Sequence, residues 1–346
     1  MPDLEAWPRE EDMTQVGERW YESYRPTAYQ RLGAAMNQDR IIPDKTNRAA
    51  IILAGGEGTR LAQLTRRVDG VHVPKQFCDL LGEVPLLNQT RRRVSLSVPS
   101  DRVSFVLNKE HEPFFSPLLA GVSRQNLIVQ PRNRGTAPAI LYSLLRLAES
   151  APRASVLLMP SDHHVGDEAA LMKHVDLAFA AVEEHPQLTV LVGIAPDEPE
   201  TAYGWIEPAP ATVIGRWKTL PVRRFWEKPS REIARKLMAT GCLWNSFMMV
   251  GQLPTLLGLF TLAMPDLYVS FSKIRPSLGT LFEEEILGRL YQHLRSSDFS
   301  RQVLESTACS FSVLPVSNVG WSDLGEPHRV VKALADLGAQ QKEAAA

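Results

Sequence analysis

The sequence predicts an α/β fold: a Rossmann-like, mainly parallel sheet with helices on both faces, joined to a small β-rich subregion. Three observations lead there. From Ala49 onward, short apolar runs alternate with segments whose apolar residues recur at helical spacing, the pattern of strand–helix–strand units. The first apolar run stops abruptly at Gly55-Gly56-Glu57-Gly58-Thr59-Arg60, a glycine-rich turn at the end of a buried strand. Beyond Pro196, aromatic and β-branched residues gather in segments 203–207 and 222–227, which suits strands of a half-buried sheet.

Taken in order, residues 49–54 are too short for a helix and bounded by glycines, so they read as the first strand. Residues 86–98 read as a helix, and 103–107 and 126–129 as strands. Residues 136–149 form the next helix, with Ile140, Leu144 and Leu147 along one stripe. A buried strand at 155–159 closes in Pro160-Ser161-Asp162. Leu171, Val175, Ala178 and Val182 share a helical face, and 188–194 is again a strand. Gly215 and Thr219-Leu220-Pro221 supply turns between the two later strands. Ser230 is the N-cap of a helix over 230–240, with Glu232 in its first turn. Residues 243–250, carrying Trp244-Asn245-Ser246, are a strand. Helices follow to about 296, then a strand at 313–316 and a closing helix over 327–337. The first 48 residues differ, with aromatic and charged residues and little aliphatic content. Helices are predicted over 12–24, where Val16, Trp20 and Tyr24 share a face, and over 27–36 after Pro26. The expected organisation is a helical extension (1–48), one large domain (49–338) and a frayed tail (339–346).

Charge is balanced, 38 basic against 39 acidic residues, so no global field favours nucleic acid or an anionic membrane. The three cysteines, Cys78, Cys242 and Cys309, are scattered without metal spacing, which favours a reducing compartment. The N-terminus holds acidic residues and no apolar stretch of signal-peptide length, and no run approaches the ~20 apolar residues of a membrane span. A soluble cytoplasmic protein is the expectation.

A glycine-rich turn lets the backbone approach a ligand and point several N–H groups at one place, which suits phosphate oxygens. Arg60 and Lys75 add positive charge beside it. It is not a Walker A loop, since Gly58 is followed by Thr59-Arg60 rather than Gly-Lys-Ser/Thr. Nor is it a dinucleotide fingerprint, since Leu61 stands where the third glycine belongs. A nucleotide-phosphate site and a ligand-free tight turn both remain open. Asp162, at a strand's carboxyl end, is placed for Mg²⁺ or serves as a turn residue. Asp323 is a candidate second carboxylate that spacing alone does not tie to Asp162. His163 and His164 are adjacent and point opposite ways on extended backbone, so they read as neighbours of the site rather than zinc ligands. Glu227-Lys228 is an ion-capable pair or a solvated turn, and Asn245 meets a hydroxyl or is a satisfied core asparagine. With no Gly-x-Ser-x-Gly elbow and no cysteine beside a base, covalent nucleophilic catalysis has no support.

Several stretches together resemble the sugar-1-phosphate nucleotidyltransferases, most closely the mannose-1-phosphate guanylyltransferase group. The resembling stretches are Leu53-Ala54-Gly55-Gly56-Glu57-Gly58-Thr59-Arg60-Leu61, Pro74-Lys75-Gln76-Phe77, Arg134-Gly135-Thr136-Ala137-Pro138-Ala139-Ile140 and Pro160-Ser161-Asp162-His163. Tyr203-Gly204-Trp205-Ile206, Phe225-Trp226-Glu227-Lys228-Pro229, Trp244-Asn245-Ser246 and Trp321-Ser322-Asp323-Leu324-Gly325 follow in the family's order. The resemblance covers about residues 47–330. It implies a nucleotide-diphospho-sugar transferase fold of the GT-A-like kind and Mg²⁺-assisted transfer of a nucleotidyl group from GTP to mannose 1-phosphate, giving GDP-mannose and pyrophosphate. By the resemblance, Leu53, Ala54, Gly55, Gly56, Gly58 and Thr59 hold the nucleotide, and Arg60 and Lys75 stabilise transition-state charge. Asp162 and Asp323 hold Mg²⁺, with Asp162 also catalytic. Thr136 and Ala137 line the base pocket, and Tyr203, Gly204, Glu227, Lys228 and Asn245 meet the sugar phosphate. The expected partners are these small-molecule substrates, with no nucleic acid and no membrane, and a homodimer is left open. Two other readings stand beside it: the same chemistry with another hexose 1-phosphate and nucleotide, and a non-catalytic paralogue that binds nucleotide sugar. The chain departs from the family where residues 66–73 lengthen the loop and where Gly135 replaces the usual asparagine. It also has no room after Asp323 for the C-terminal β-helix or isomerase domain that relatives carry.

Overall fold

The computed structural model describes residues 45–66, 70–82, 84–210 and 217–344. The helices predicted over 12–24 and 27–36 and the turn at Gly215 lie outside them. Among the described residues, nine strands form one sheet. They are β1 (Arg48–Leu53), β2 (Val103–Asn108), β3 (Leu127–Gln130), β4 (Ser155–Pro160), β5 (Thr189–Ile194), β6 (Gly204–Pro208), β7 (Leu220–Glu227), β8 (Leu243–Gln252) and β9 (Ser312–Val316). Their order across the sheet is β3-β2-β1-β4-β8-β5-β9-β7-β6. β3, β2, β1 and β4 are mutually parallel. β8 enters antiparallel between β4 and β5, and β9 runs parallel to β5. β7 and β8 thus run against the other strands, so the sheet is mixed in its pairings while most of its strands share one direction.

The parallel half reads as continuous apolar runs because helices cover both its faces. Alternate residues of β1 point to opposite sides, and each side has its own core. Ala50 and Ile52 pack with Leu87, Leu171, Val175 and Phe179, which belong to α1 (Leu86–Val94) and the long α4 (Glu168–Glu184). Ala49 and Ile51 pack with Ile140, Leu144, Phe260, Phe271 and Tyr291. These come from α3 (Thr136–Ala148), α6 (Leu253–Ala263), α7 (Pro265–Ile274) and α8 (Glu283–His293). A helix α5 (Arg231–Ala239) starts at Ser230, whose side chain accepts the Ile233 N–H as its sequence predicts. A third, small cluster joins Leu61, Leu86, Leu324, Val330 and Ala333, and so packs α9 (Pro327–Ala344) against the glycine-rich loop and the turn holding Asp323.

Three elements differ from the sequence expectation. A short α2 (Glu112–Leu118) sits between β2 and β3, where no helix is expected; Pro113 and Pro117 mask its pattern, although proline in a first turn lacks only an N–H that would be unpaired anyway. α1 stops at Val94 and gives way to turns rather than reaching 98. α9 continues to Ala344, through most of the stretch expected to be frayed.

At the far end of β1 from the glycine loop, Arg48 is fully buried and pairs with Asp176 at 2.6 Å and Glu183 at 3.0 Å on α4, its guanidinium lying over Phe179. Removing it leaves two carboxylates that are still partly solvated. Arg48→Met is therefore expected to lower stability by about 1–3 kcal/mol in urea unfolding, while leaving the secondary structure of the folded protein unchanged by circular dichroism.

Candidate active site

The glycine loop leaves β1 with its carbonyls tied down. Gln76 Nε2 donates to Ala54 O at 3.1 Å and Gly56 O at 2.8 Å, and Asn108 Nδ2 donates to Gly55 O at 2.7 Å. Each pinned carbonyl fixes the plane of its peptide, and with it the direction of the N–H of Gly55, Gly56 or Glu57 on the opposite side of that trans peptide. Of the loop glycines only Gly58 takes a left-handed φ, +65°, and a Cβ there would lie 2.9 Å from the Lys75 backbone nitrogen. Close approach of the Lys75 segment, more than loop flexibility, demands glycine at 58. Thr59 and Arg60 begin the 3₁₀ turn Thr59–Leu61.

The lengthened 66–73 stretch is closed at its base. Arg66 and His72 form an antiparallel bridge, and Val73 N–H donates to Thr65 O at 3.3 Å. The His72 ring lies between Thr65 Oγ1 (3.1 Å) and Glu57 O (3.0 Å). The extra length thus leaves the Pro74–Phe77 turn packed on the loop.

Lys75 is buried and links three distant segments. Its Nζ lies 3.2 Å from Asp162 Oδ2 and donates to Asp323 O at 2.5 Å. Burial alone would raise the Asp162 carboxyl, but the Lys75 ammonium, His163 and hydrogen bonds outweigh it and hold the group below the usual carboxylate range. The carbonyls on either side of Asp162 are pinned from α1: Thr90 Oγ1 donates to Ser161 O at 3.1 Å and Arg93 Nη1 to His163 O at 3.3 Å. Arg93 is itself buried and paired with Glu168 at 2.9 Å. Burial pushes His163 down to about 4, against the raising pull of Asp162, so its ring is neutral at neutral pH. That ring stands edge-on to Trp321, 5.3 Å between centroids. Reciprocal main-chain bonds between His164 and Ser322, 2.9 and 3.0 Å, bring the Asp162 and Asp323 turns side by side.

Asp323 Oδ1 accepts from Tyr203 OH at 2.9 Å and from Gly325 N–H at 2.7 Å, while Oδ2 faces Arg60 Nη2 at 3.6 Å. A Cβ on Gly325 would fall 2.4 Å from Asp323 Oδ2. Arg60 also reaches Glu326 at 3.6 Å but is half-exposed, so these pairs are screened. The structure therefore gathers the glycine loop, Arg60, Lys75, Asp162, Asp323 and Tyr203 in one contact network. Tyr203, which the resemblance assigns to the sugar phosphate, donates to the carboxylate of Asp323 from within an aromatic cluster of Trp244 and Trp321.

The other residues that the resemblance assigns to the sugar phosphate lie on or beside β6, β7 and β8. Gly204 pairs across the ladder with Glu227, and a Cβ on it would meet Phe225 at 2.6 Å and the Glu227 carboxylate at 3.1 Å. Burial raises the Glu227 carboxyl, and Lys228, 3.4 Å away, opposes the rise. Asn245 is nearly buried opposite Gly193, and its Oδ1 accepts the Phe247 N–H at 3.1 Å, holding the left-handed kink of β8 at Phe247. At Thr136 and Ala137, residues 297–299 lie over the start of α3. Thr136 Oγ1 accepts the Phe299 N–H at 2.8 Å, and Ala137 N–H donates to Ser297 O at 3.2 Å. Gly135, at φ +85°, places its would-be Cβ 2.2 Å from Ser297 O.

Sequence reading missed Gln76, Asn108, Thr90, Arg93 and Arg329. Thr90 and Arg93 carried a signal, since they continue the buried stripe begun at Leu86 in α1; Arg329 had none nearby. Two carboxylates, Asp162 and Asp323, with a buried ammonium between their segments, fit a hard cation that completes its shell with substrate phosphates and water. Among the described residues, no group of three or more His, Cys, Asp or Glu is placed to hold a metal by protein ligands alone.

This fold and site define a nucleotidyl-transfer protein class, and the chain belongs to the nucleotidyl transferase family, whose model matches residues 49–340. It is 32% identical over 294 residues to the xanthan biosynthesis protein XanB of Xanthomonas campestris pv. campestris strain B100, covering 80% of this chain and 57% of that protein. It is 30% identical over 285 residues to the mannose-1-phosphate guanylyltransferase of Escherichia coli K12, covering 80% and 57%. Among solved structures it superposes on a mannose-1-phosphate geranyltransferase from Thermus thermophilus with a TM-score of 0.68 and 27% identity, covering 81% of this chain and 76% of that one. The chain spans a little over half the length of the curated relatives it matches.

The packing of Ser297 on Gly135 is open to a direct check. Gly135→Ala adds both a strained φ and a clash with a main-chain carbonyl. It is expected to cost at least about 1–3 kcal/mol, read as a lower urea midpoint at unchanged slope.

Proposed function

We propose that the chain transfers a guanylyl group from GTP to mannose 1-phosphate, giving GDP-mannose and pyrophosphate. One observation carries the reading: Lys75 Nζ is buried between the Asp162 carboxylate and the Asp323 carbonyl, on a segment packed against Gly58 of the glycine loop. That arrangement suits binding a polyphosphate and neutralising it. The resemblance of the whole motif set, and the named relatives, supply the choice of nucleotide and sugar.

The sugar phosphate oxygen is already an anionic nucleophile, so no general base is needed. It attacks the α-phosphorus in line, a new P–O bond forms, and the bond to the β-phosphate oxygen breaks to release pyrophosphate. The chain's part is positioning and electrostatics. The loop N–H groups seat the phosphates, and Lys75 and Arg60 meet charge that builds on the transferring and leaving groups. Glu227 and Lys228 orient the sugar phosphate from β7, beside Gly204 and Asn245. Mg²⁺ would be held by Asp162 and Asp323 and would supply positive charge to neutralise the phosphates. Gly135, where the resembling family carries asparagine, favours a second reading in which the same chemistry uses another nucleotide and hexose pair. The partners remain small molecules. No described helix is long and apolar enough to cross a membrane.

The test is pyrophosphate release from a matrix of four nucleoside triphosphates and several hexose 1-phosphates with Mg²⁺. GTP with mannose 1-phosphate is expected to give the highest kcat/KM, and chelation of Mg²⁺ to abolish turnover. No release with any pair would remove the catalytic reading. Lys75→Ala and Asp162→Asn are each expected to lower kcat by roughly 100-fold or more, and near-normal rates in either would take that residue out of the mechanism.

A further inference from the structure

We propose that Arg329, in the first turn of α9, is a positioning residue that fixes the Asp323 carboxylate for binding the metal–nucleotide complex, acting together with Tyr203. This rests on the reading of Asp323 as a metal ligand. Arg329 is 6% exposed. Its Nη1 lies 3.6 Å from Asp323 Oδ1, the oxygen that already accepts from Tyr203 OH and Gly325 N–H. Its Nη2 pairs with the Glu200 carboxylate and lies 3.8 Å from Glu198 Oε1. The guanidinium also lies over the Tyr203 ring, 4.3 Å from the centroid. One planar group therefore touches both the carboxylate and the tyrosine that supports it.

The convergence has a chemical consequence. Tyr203, Gly325 and Arg329 all act on Oδ1, which anchors the carboxylate and turns Oδ2 toward Arg60 and the glycine loop. A carboxylate held by one oxygen presents the other as a ligand in a fixed direction, the usual role of groups behind a metal ligand. Lysine would not substitute, because a point charge cannot span Asp323 and Glu200 while stacking on an aromatic face. Arg329 Nε is buried without a hydrogen-bond partner, a cost that stability alone does not explain. Helix α9 also carries Lys332, which pairs with Asp197 at 2.9 Å near the surface. Lys332 therefore serves as a control for fastening the helix without touching Asp323.

The experiment uses the full chain with saturating GTP and titrates Mg²⁺, reading the rise in melting temperature and, separately, pyrophosphate release. In Arg329→Gln the Mg²⁺ concentration for half-maximal response is expected to rise about 10-fold in both readouts. The KM for sugar phosphate at saturating Mg²⁺ should stay within about 2-fold, since the partners of Arg329 do not include Glu227, Lys228 or Asn245. Arg329→Lys should recover only part of the Mg²⁺ response, and Lys332→Met should show the wild-type one. If Arg329→Gln does not fold, Tyr203→Phe removes only the hydroxyl on Oδ1 and must shift the Mg²⁺ response in the same direction. Wild-type Mg²⁺ dependence in a folded Arg329→Gln, or in Tyr203→Phe, overturns the positioning role, as does an equal shift in Lys332→Met. An absence of any Mg²⁺ response in the wild type would instead overturn the metal reading of Asp323, and this inference with it.

Discussion

The buried ammonium of Lys75 is the constraint on which the site depends. A charge taken out of water without partners costs several kcal/mol, and Lys75 is placed only because Asp162 and the Asp323 carbonyl come to it. Those groups lie on different segments: the turn after the glycine loop, the end of β4 and the turn before α9. Pairing them makes three parts of the chain one electrostatic unit. The same contact explains Gly58, whose Cβ would occupy the space of the Lys75 backbone nitrogen. It also explains why the Asp162 carboxyl stays ionised although burial favours its neutral form.

Around that unit, precision comes from side chains bonded to main chain. Gln76 and Asn108 hold the loop carbonyls, Thr90 and Arg93 hold the carbonyls flanking Asp162, and Tyr203 holds the Asp323 carboxylate. Each supporting group stands on a helix, a strand or a short turn packed into the core, so the site inherits the rigidity of the sheet. The two departures from the family pattern are absorbed in the same way. His72 closes the lengthened loop onto Glu57, and Ser297 fills the space that Gly135 leaves open. The Lys75 turn thereby stays packed on the glycine loop, and Ser297 closes over the start of α3.

Much of this was legible in the sequence. Strands β1, β2, β4 and β5 stood out because helices bury both their faces, which leaves uninterrupted apolar runs, and the helices α1, α3 and α4 stood out by their stripes. The glycine loop, Lys75 and Asp162 were visible as residue types at strand ends. Other features were hidden for physical reasons. An apolar run records burial but not direction, so the antiparallel entry of β8 between β4 and β5 was not written in its residues. Prolines obscured α2. The bonds of Tyr203 to Asp323 and of Asn245 to the Phe247 N–H were hidden too, because a polar side chain carries no local mark of the partner it meets.

The sequence by itself determined which segments are buried, where the chain turns, and which charged residues stand at the turns, because these follow from local periodicity and local backbone preference. Only the tertiary structure decided that Lys75, Asp162 and Asp323 share one site, and that Arg329 and Tyr203 stand behind the last of them. Such pairings join residues scores to hundreds of positions apart, and Coulomb attraction over a few ångströms leaves no trace in the spacing of the chain.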